Sequence, residues 1–222
     1  MGKTSNTQPV ISERHAGSLR RTGARESYSK LHSWIDGHKK LRDPVKYLRE
    51  TGGLAGERRR PPAPGLPAGR NIVEISPHPT VGNLAMILIQ VDKRGLPFDG
   101  QTDRLLLNIT LHATEALYQR LRTVELIALM AEISPIGMWL LDNLAALGME
   151  EKGLLLSPSG VFPVARGKRF CAEGVMDGSC YWDAATWIQD AGLEDHTPAK
   201  RRVAESVRGA RKAGLRVGLV PG

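Results

Sequence analysis

The chain has 222 residues, 41% of them hydrophobic and 5% aromatic, with two cysteines and a formal net charge of +8. That length and apolar fraction suffice for a buried core, but no apolar run approaches the roughly 20 residues of a membrane span. Cys171 and Cys180 do not make a disulfide framework, and the opening residues lack the apolar core of a secretory signal, so a cytoplasmic protein with no membrane partner is expected.

The charge is unevenly distributed. Residues 1–70 hold 15 Lys+Arg against 6 Asp+Glu, a net of +9. Residues 71–192 hold 9 against 14, a net of −5, and residues 193–222 hold 7 against 3, a net of +4. Basicity confined to the two ends of a chain is a pattern for binding an anionic partner.

Residues 1–24 are polar without an apolar period and are expected to form a disordered basic arm. Over residues 25–55, Tyr28, Leu31, Ile35 and Leu41 recur at helical spacing, and Asp43-Pro44 reads as a capped restart carrying Val45 and Leu48. This predicts a helical hairpin rich in Lys39, Lys40, Arg42, Lys46 and Arg49. Residues 56–70 contain Arg58, Arg59 and Arg60 followed by four prolines, the composition of an extended linker and the expected domain boundary.

Beyond it an acidic domain over residues 71–192 is expected. Asn71–Ile75 reads as a short strand, and Leu84–Val91 with Arg104–Leu111 as a hairpin with a long loop. Ala116, Leu117, Leu121, Val124 and Ala128 then give a helix over 113–133, broken by Pro135 before a second helix to Leu147. Ser157-Pro158-Ser159-Gly160 is a turn between two short strands, and residues 181–191, with Trp182 and Trp187, read as a short helix. Over residues 193–222, Thr197 caps a last helix that Gly214 closes. Strands joined by hairpins rather than by βαβ units favour an α+β class. The whole reads as a basic helical hairpin, a Pro/Arg-rich linker, and an antiparallel hairpin-containing α+β domain with a basic C-terminal helix.

The last helix carries the sharpest pattern. At 100° per residue Lys200, Arg201, Arg208, Arg211 and Lys212 fall on one arc, while Val203, Val207 and Ala210 fall on another. Such a helix docks through its valines and shows five cations, which phosphates reward through counterion release. Arg58, Arg59 and Arg60 form a second basic cluster, Lys39 and Lys40 a third, and Arg166, Lys168 and Arg169 a smaller basic loop.

Signals for catalysis are weaker. His32, His38, His78, His112 and His196 belong to no ligand or catalytic motif, although His112 sits where a helix cap is expected. Asp92, Asp99 and Asp103 gather around one loop that could hold Mg²⁺, and Glu150-Glu151-Lys152 with Asp142 upstream resembles a nuclease element displaced to a helix end. The expectation is therefore a nucleic-acid-binding or ribonucleoprotein-complex subunit, without metal or cofactor, that holds DNA or RNA phosphates through its basic ends. A nucleic-acid-processing enzyme is the first alternative. The second is an adaptor contacting other protein subunits through Trp182, Trp187 and the Pro135–Leu147 helix.

Overall fold

A computed structural model describes residues 54–62, 64, 67–77, 83–95, 98, 104–121, 126–144, 151–167, 181–193 and 197–221. Among them are three α-helices and nine strands in one mixed sheet. The arm over residues 1–24 and all but the end of the hairpin expected over residues 25–55 lie outside the described residues.

The first half of the sheet is an antiparallel meander of β1 (Leu54–Arg60), β2 (Gly69–Pro77), β3 (Leu84–Asp92) and β4 (Arg104–Ile109). The expected pairing of the two apolar strands is present as β3 and β4, with a register shift between Met86 and Ile87. After β4 come α1 (Leu111–Leu121) and α2 (Leu126–Asp142). The second half contains β5 (Lys152–Ser157), β6 (Gly160–Arg166), β7 (Trp182–Ala184), β8 (Ile188–Gln189), α3 (Pro198–Lys212) and β9 (Gly218–Val220). The strand order is β1-β2-β3-β4-β7-β6-β5-β9, with β8 pairing β6. All pairs are antiparallel except β4 with β7.

Strand alternation assigns the helices to faces. Leu155 joins a core with Leu129, Ile133, Ile136 and Leu140 of α2 and Ala113, Ala116 and Leu117 of α1. Leu154 and Leu156 point the other way and join Val207 of α3. The first two helices therefore cover one face, and α3 covers the other across β5, β6 and β9.

Several expectations change. Residues 56–60 are not linker: they belong to β1, which pairs with β2 from Leu54 to Arg60. What holds them is a close crossing by α2. A Cβ at Gly137 would lie 2.5 Å from the Cβ of Ala55, so only glycine lets the helix sit this near the strand. Nor does Pro135 end a helix. It lies inside α2, where it removes the bond to the carbonyl of Ala131, an exposed residue.

The helix expected over residues 181–191 gives way to two strands, with a single 3-10 turn over Asp190–Gly192. Trp182 and Ala184 are fully buried around a half-buried Asp183, a two-residue period, and β7 is a central strand between β4 and β6. The expected division between an acidic domain and a separate basic end dissolves as well. Strand β9 pairs with β5, so residues 218–220 complete the sheet that the acidic segment begins.

Candidate polyanion-binding surface

Helix α3 is built as its sequence foretells. Thr197 caps it, its side chain accepting a hydrogen bond from the Lys200 amide at 3.2 Å, and Pro198 opens the first turn. Past its end Gly214 adopts φ +83°, a left-handed conformation that stops helices cheaply only at glycine. Val207 and Ala204 are buried, and Val203 and Ala210 pack beside them against Leu154, Leu156, Val161 and Val220.

One of the five cations assigned to the outer arc points inward. The Arg211 side chain is 15% exposed and donates from Nε to Asp190 Oδ2 at 2.8 Å. Its Nη2 reaches the Ser157 carbonyl at 2.6 Å and the Gly160 carbonyl at 3.0 Å, and its Nη1 the Arg216 carbonyl at 2.6 Å. The wheel already held this information: residue 211 follows Val207 by four positions, which places it on the docking face.

Lys200, Arg201, Arg202, Arg208 and Lys212 are exposed, with Glu205 among them. Arg208 also donates to the Leu193 carbonyl at 3.2 Å. Arg201, Arg208 and Lys212 follow one another at i, i+7 and i+11, so they share one line along the helix about 16 Å long. Arg202, absent from the sequence-based stripe, flanks that line, and Arg216 is exposed just beyond the helix.

Beneath the helix lies a polar knot around the β5–β6 turn. Glu132 of α2 is 7% exposed. Its carboxylate accepts from Ser157 Oγ at 2.8 Å, from Ser159 Oγ at 2.6 Å and from the Ser159 amide at 3.1 Å. Ser157 Oγ in turn accepts from Trp187 Nε1 at 3.0 Å, and the Asp190 amide donates to the Ser159 carbonyl at 3.0 Å. Helices on opposite faces are thus tied to the same hairpin, α2 through Glu132 and α3 through Arg211. A buried carboxylate that accepts three hydrogen bonds is a structural anchor. In the sequence Glu132 was only a charge interrupting an apolar run.

The other expected site residues scatter. Arg58 and Arg60 alternate with Arg59 along β1, so the run is split between two faces of the sheet. Arg58 grips Asp142 of α2 with Nε and Nη2, at 2.8 and 2.9 Å. The hydrogen bond from Arg58 holds the Asp142 carboxyl below its ordinary range, aided by the Coulombic attraction and opposed by partial desolvation. Arg60 donates to the Pro67 carbonyl at 2.8 Å and stacks over Phe98 at 5.0 Å, while Arg59 is exposed.

Lys39, Lys40, Cys171, Cys180, Asp99 and Asp103 lie outside the described residues, as do Lys168 and Arg169. Asp92 caps a turn, accepting from the Arg94 amide at 2.8 Å, and Thr110 rather than His112 caps α1, accepting from the Ala113 amide at 3.3 Å. Among the described residues no three His, Cys, Asp or Glu side chains gather as a metal would require, and no helix is long and apolar enough to cross a membrane. Comparison with known proteins finds no match to the chain among protein-family models, curated proteins or solved structures.

Proposed function

We propose that the protein binds nucleic acid through its phosphate backbone, with the outer face of α3 as the principal contact. The observation that carries this reading is the line of Arg201, Arg208 and Lys212 on a helix whose opposite face is anchored by Val207 and Arg211. Fixed cations lose less freedom on binding than cations on a mobile arm. Arg202 and Arg216 widen the surface, and Arg59, on the α3 side of the edge strand, offers an outlying contact. Lys39 and Lys40 remain candidates for the same role from the N-terminal segment. Phosphate contacts position the ligand without reading its sequence.

Fluorescence anisotropy with labelled duplex and single-stranded DNA and RNA across a salt series tests the reading. Affinity should fall steeply with salt. The triple variant R201A/R208A/K212A should lower the slope of log K against log salt by about 2–3 on duplex DNA, close to one unit per lost phosphate contact. Binding that is insensitive to salt, or a triple variant with the parental slope, overturns it.

A further inference from the structure

The sheet face that carries α3 holds a second polar feature, away from the helix. Lys152, Ala165, Asp183 and Asn108 are successive partners across β5, β6, β7 and β4. Partners across neighbouring strands point the same way, so these four side chains stand in one transverse row. Lys152 and Ala165 are exposed, Asp183 is half-buried, and Asn108 is buried.

Asp183 is held from one side by a relay whose direction a backbone amide fixes. The Leu111 amide can only donate, and it donates to Asn83 Oδ1 at 2.9 Å. Asn83 must then offer Nδ2, which reaches Asn108 Oδ1 at 3.0 Å. Asn108 is left to offer its own Nδ2, which reaches Asp183 Oδ1 at 2.6 Å. The carboxylate is thereby oriented as an acceptor, with Oδ2 turned to no donor and no cation paired with it among the described residues. Lys152 likewise makes no ion pair there. The two opposite charges stand on one face, two strand spacings or about 10 Å apart, with Ala165 between them in the row.

We propose that this row is a nucleotide subsite for guanine. The proposal rests on the nucleic-acid reading above and extends it from backbone to base. A carboxylate accepts best from two adjacent N–H groups. Of the four common bases only guanine offers such a pair on its Watson–Crick edge, from N1 and the exocyclic N2. The exposed Ala165 leaves a flat floor for a ring, and Lys152 stands where the phosphate of the same nucleotide would reach. Single-stranded nucleic acid, whose bases can be splayed from the stack, is therefore the ligand this row would read.

Calorimetric titration of the full chain with GMP and with AMP at low salt tests this. GMP should bind at least about tenfold more tightly than AMP, and Asp183→Asn should erase the difference by presenting a donor to a donor. Ala165→Phe places bulk on an exposed position and should weaken GMP about tenfold or more, with thermal stability unchanged. Equal affinities for the two nucleotides, no heat with GMP at millimolar concentration, or a preference that survives Asp183→Asn overturns the subsite. GMP titration does not depend on α3. Loss of oligonucleotide binding with GMP binding intact would sink the backbone reading alone, and the converse result would sink the subsite alone.

Discussion

Replacing Arg211 with alanine should be among the most destabilising single changes in the basic segment. The guanidinium is 15% exposed against 34% for its partner Asp190. It also donates to the carbonyls of Ser157, Gly160, Leu215 and Arg216, at 2.6, 3.0, 3.2 and 2.6 Å. Deleting one partner of a buried ion pair costs about 3–5 kcal/mol. Asp190 keeps some access to water, which places the expected loss near the lower end, about 3 kcal/mol. Arg211→Lys retains the charge but cannot serve acceptors in several directions at once, and should lose about 1–2 kcal/mol. Urea unfolding followed by tryptophan emission reads both, since Trp182 and Trp187 are fully buried in the core. A loss under about 0.5 kcal/mol for the alanine variant would refute the reasoning, because Arg211 would then have to be solvated like its exposed neighbours. So would lysine and alanine variants of equal stability.

Glu132→Ala should cost about 2–4 kcal/mol by leaving buried Ser157 and the Ser159 donors without an acceptor, with Glu132→Gln losing less; chemical denaturation compares them. Gly137→Ala should cost about 1–3 kcal/mol through overpacking against Ala55, visible as a lowered Tm, whereas an unchanged Tm would mean that α2 does not cross β1 so closely. Asp142 has a folded-state pKa below its unfolded value, so its contribution is present above the unfolded carboxylate range and disappears as pH falls through the folded pKa. Asp142→Asn should therefore lower stability at neutral pH, converge on the parent in strong acid, and so flatten the acid limb of a stability–pH profile. Tyr118 has its pKa raised by burial, so its phenol should ionise late in an ultraviolet alkaline titration, and stability should fall as pH rises above the ordinary tyrosine range.

What the sequence made legible was local. Thr197, Pro198 and Gly214 bounded the last helix because caps act within one turn. The turn at Pro158-Ser159 was legible for the same reason, and the apolar run Leu84–Val91 announced a strand that extends to Asp92. What stayed hidden depends on distant partners. Arg58 looked like linker because nothing nearby in the sequence signals Asp142, 84 positions away. β7 is three residues long, too short for a period to be counted, and its identity as a strand comes from β4 and β6 on either side. Pro135 was read as a breaker because its cost is local, whereas the packing that keeps α2 continuous through Ile133, Ile136 and Leu140 is not. On α3, the four-residue step from Val207 already set Arg211 apart from Arg201 and Arg208, but its partners Asp190, Ser157 and Gly160 lie too far away in the sequence to be foreseen.

The same short strand has a mechanical consequence. Between the four-stranded meander and the β6-β5-β9 group, the only ladder among the described strands is β7, which holds three residue pairs to β4 and three to β6. Such a seam resists shear poorly on its own, and α2 acts as a splint across it, touching β1 and β2 on one side and β5 on the other. Trp139 of that helix stacks on Trp182 of the seam, with ring centroids 6.4 Å apart. Amide hydrogen exchange should thus find β7 protected only as long as α2 stays seated. Loosening α2 would uncouple the two halves into separately opening units before either one melts.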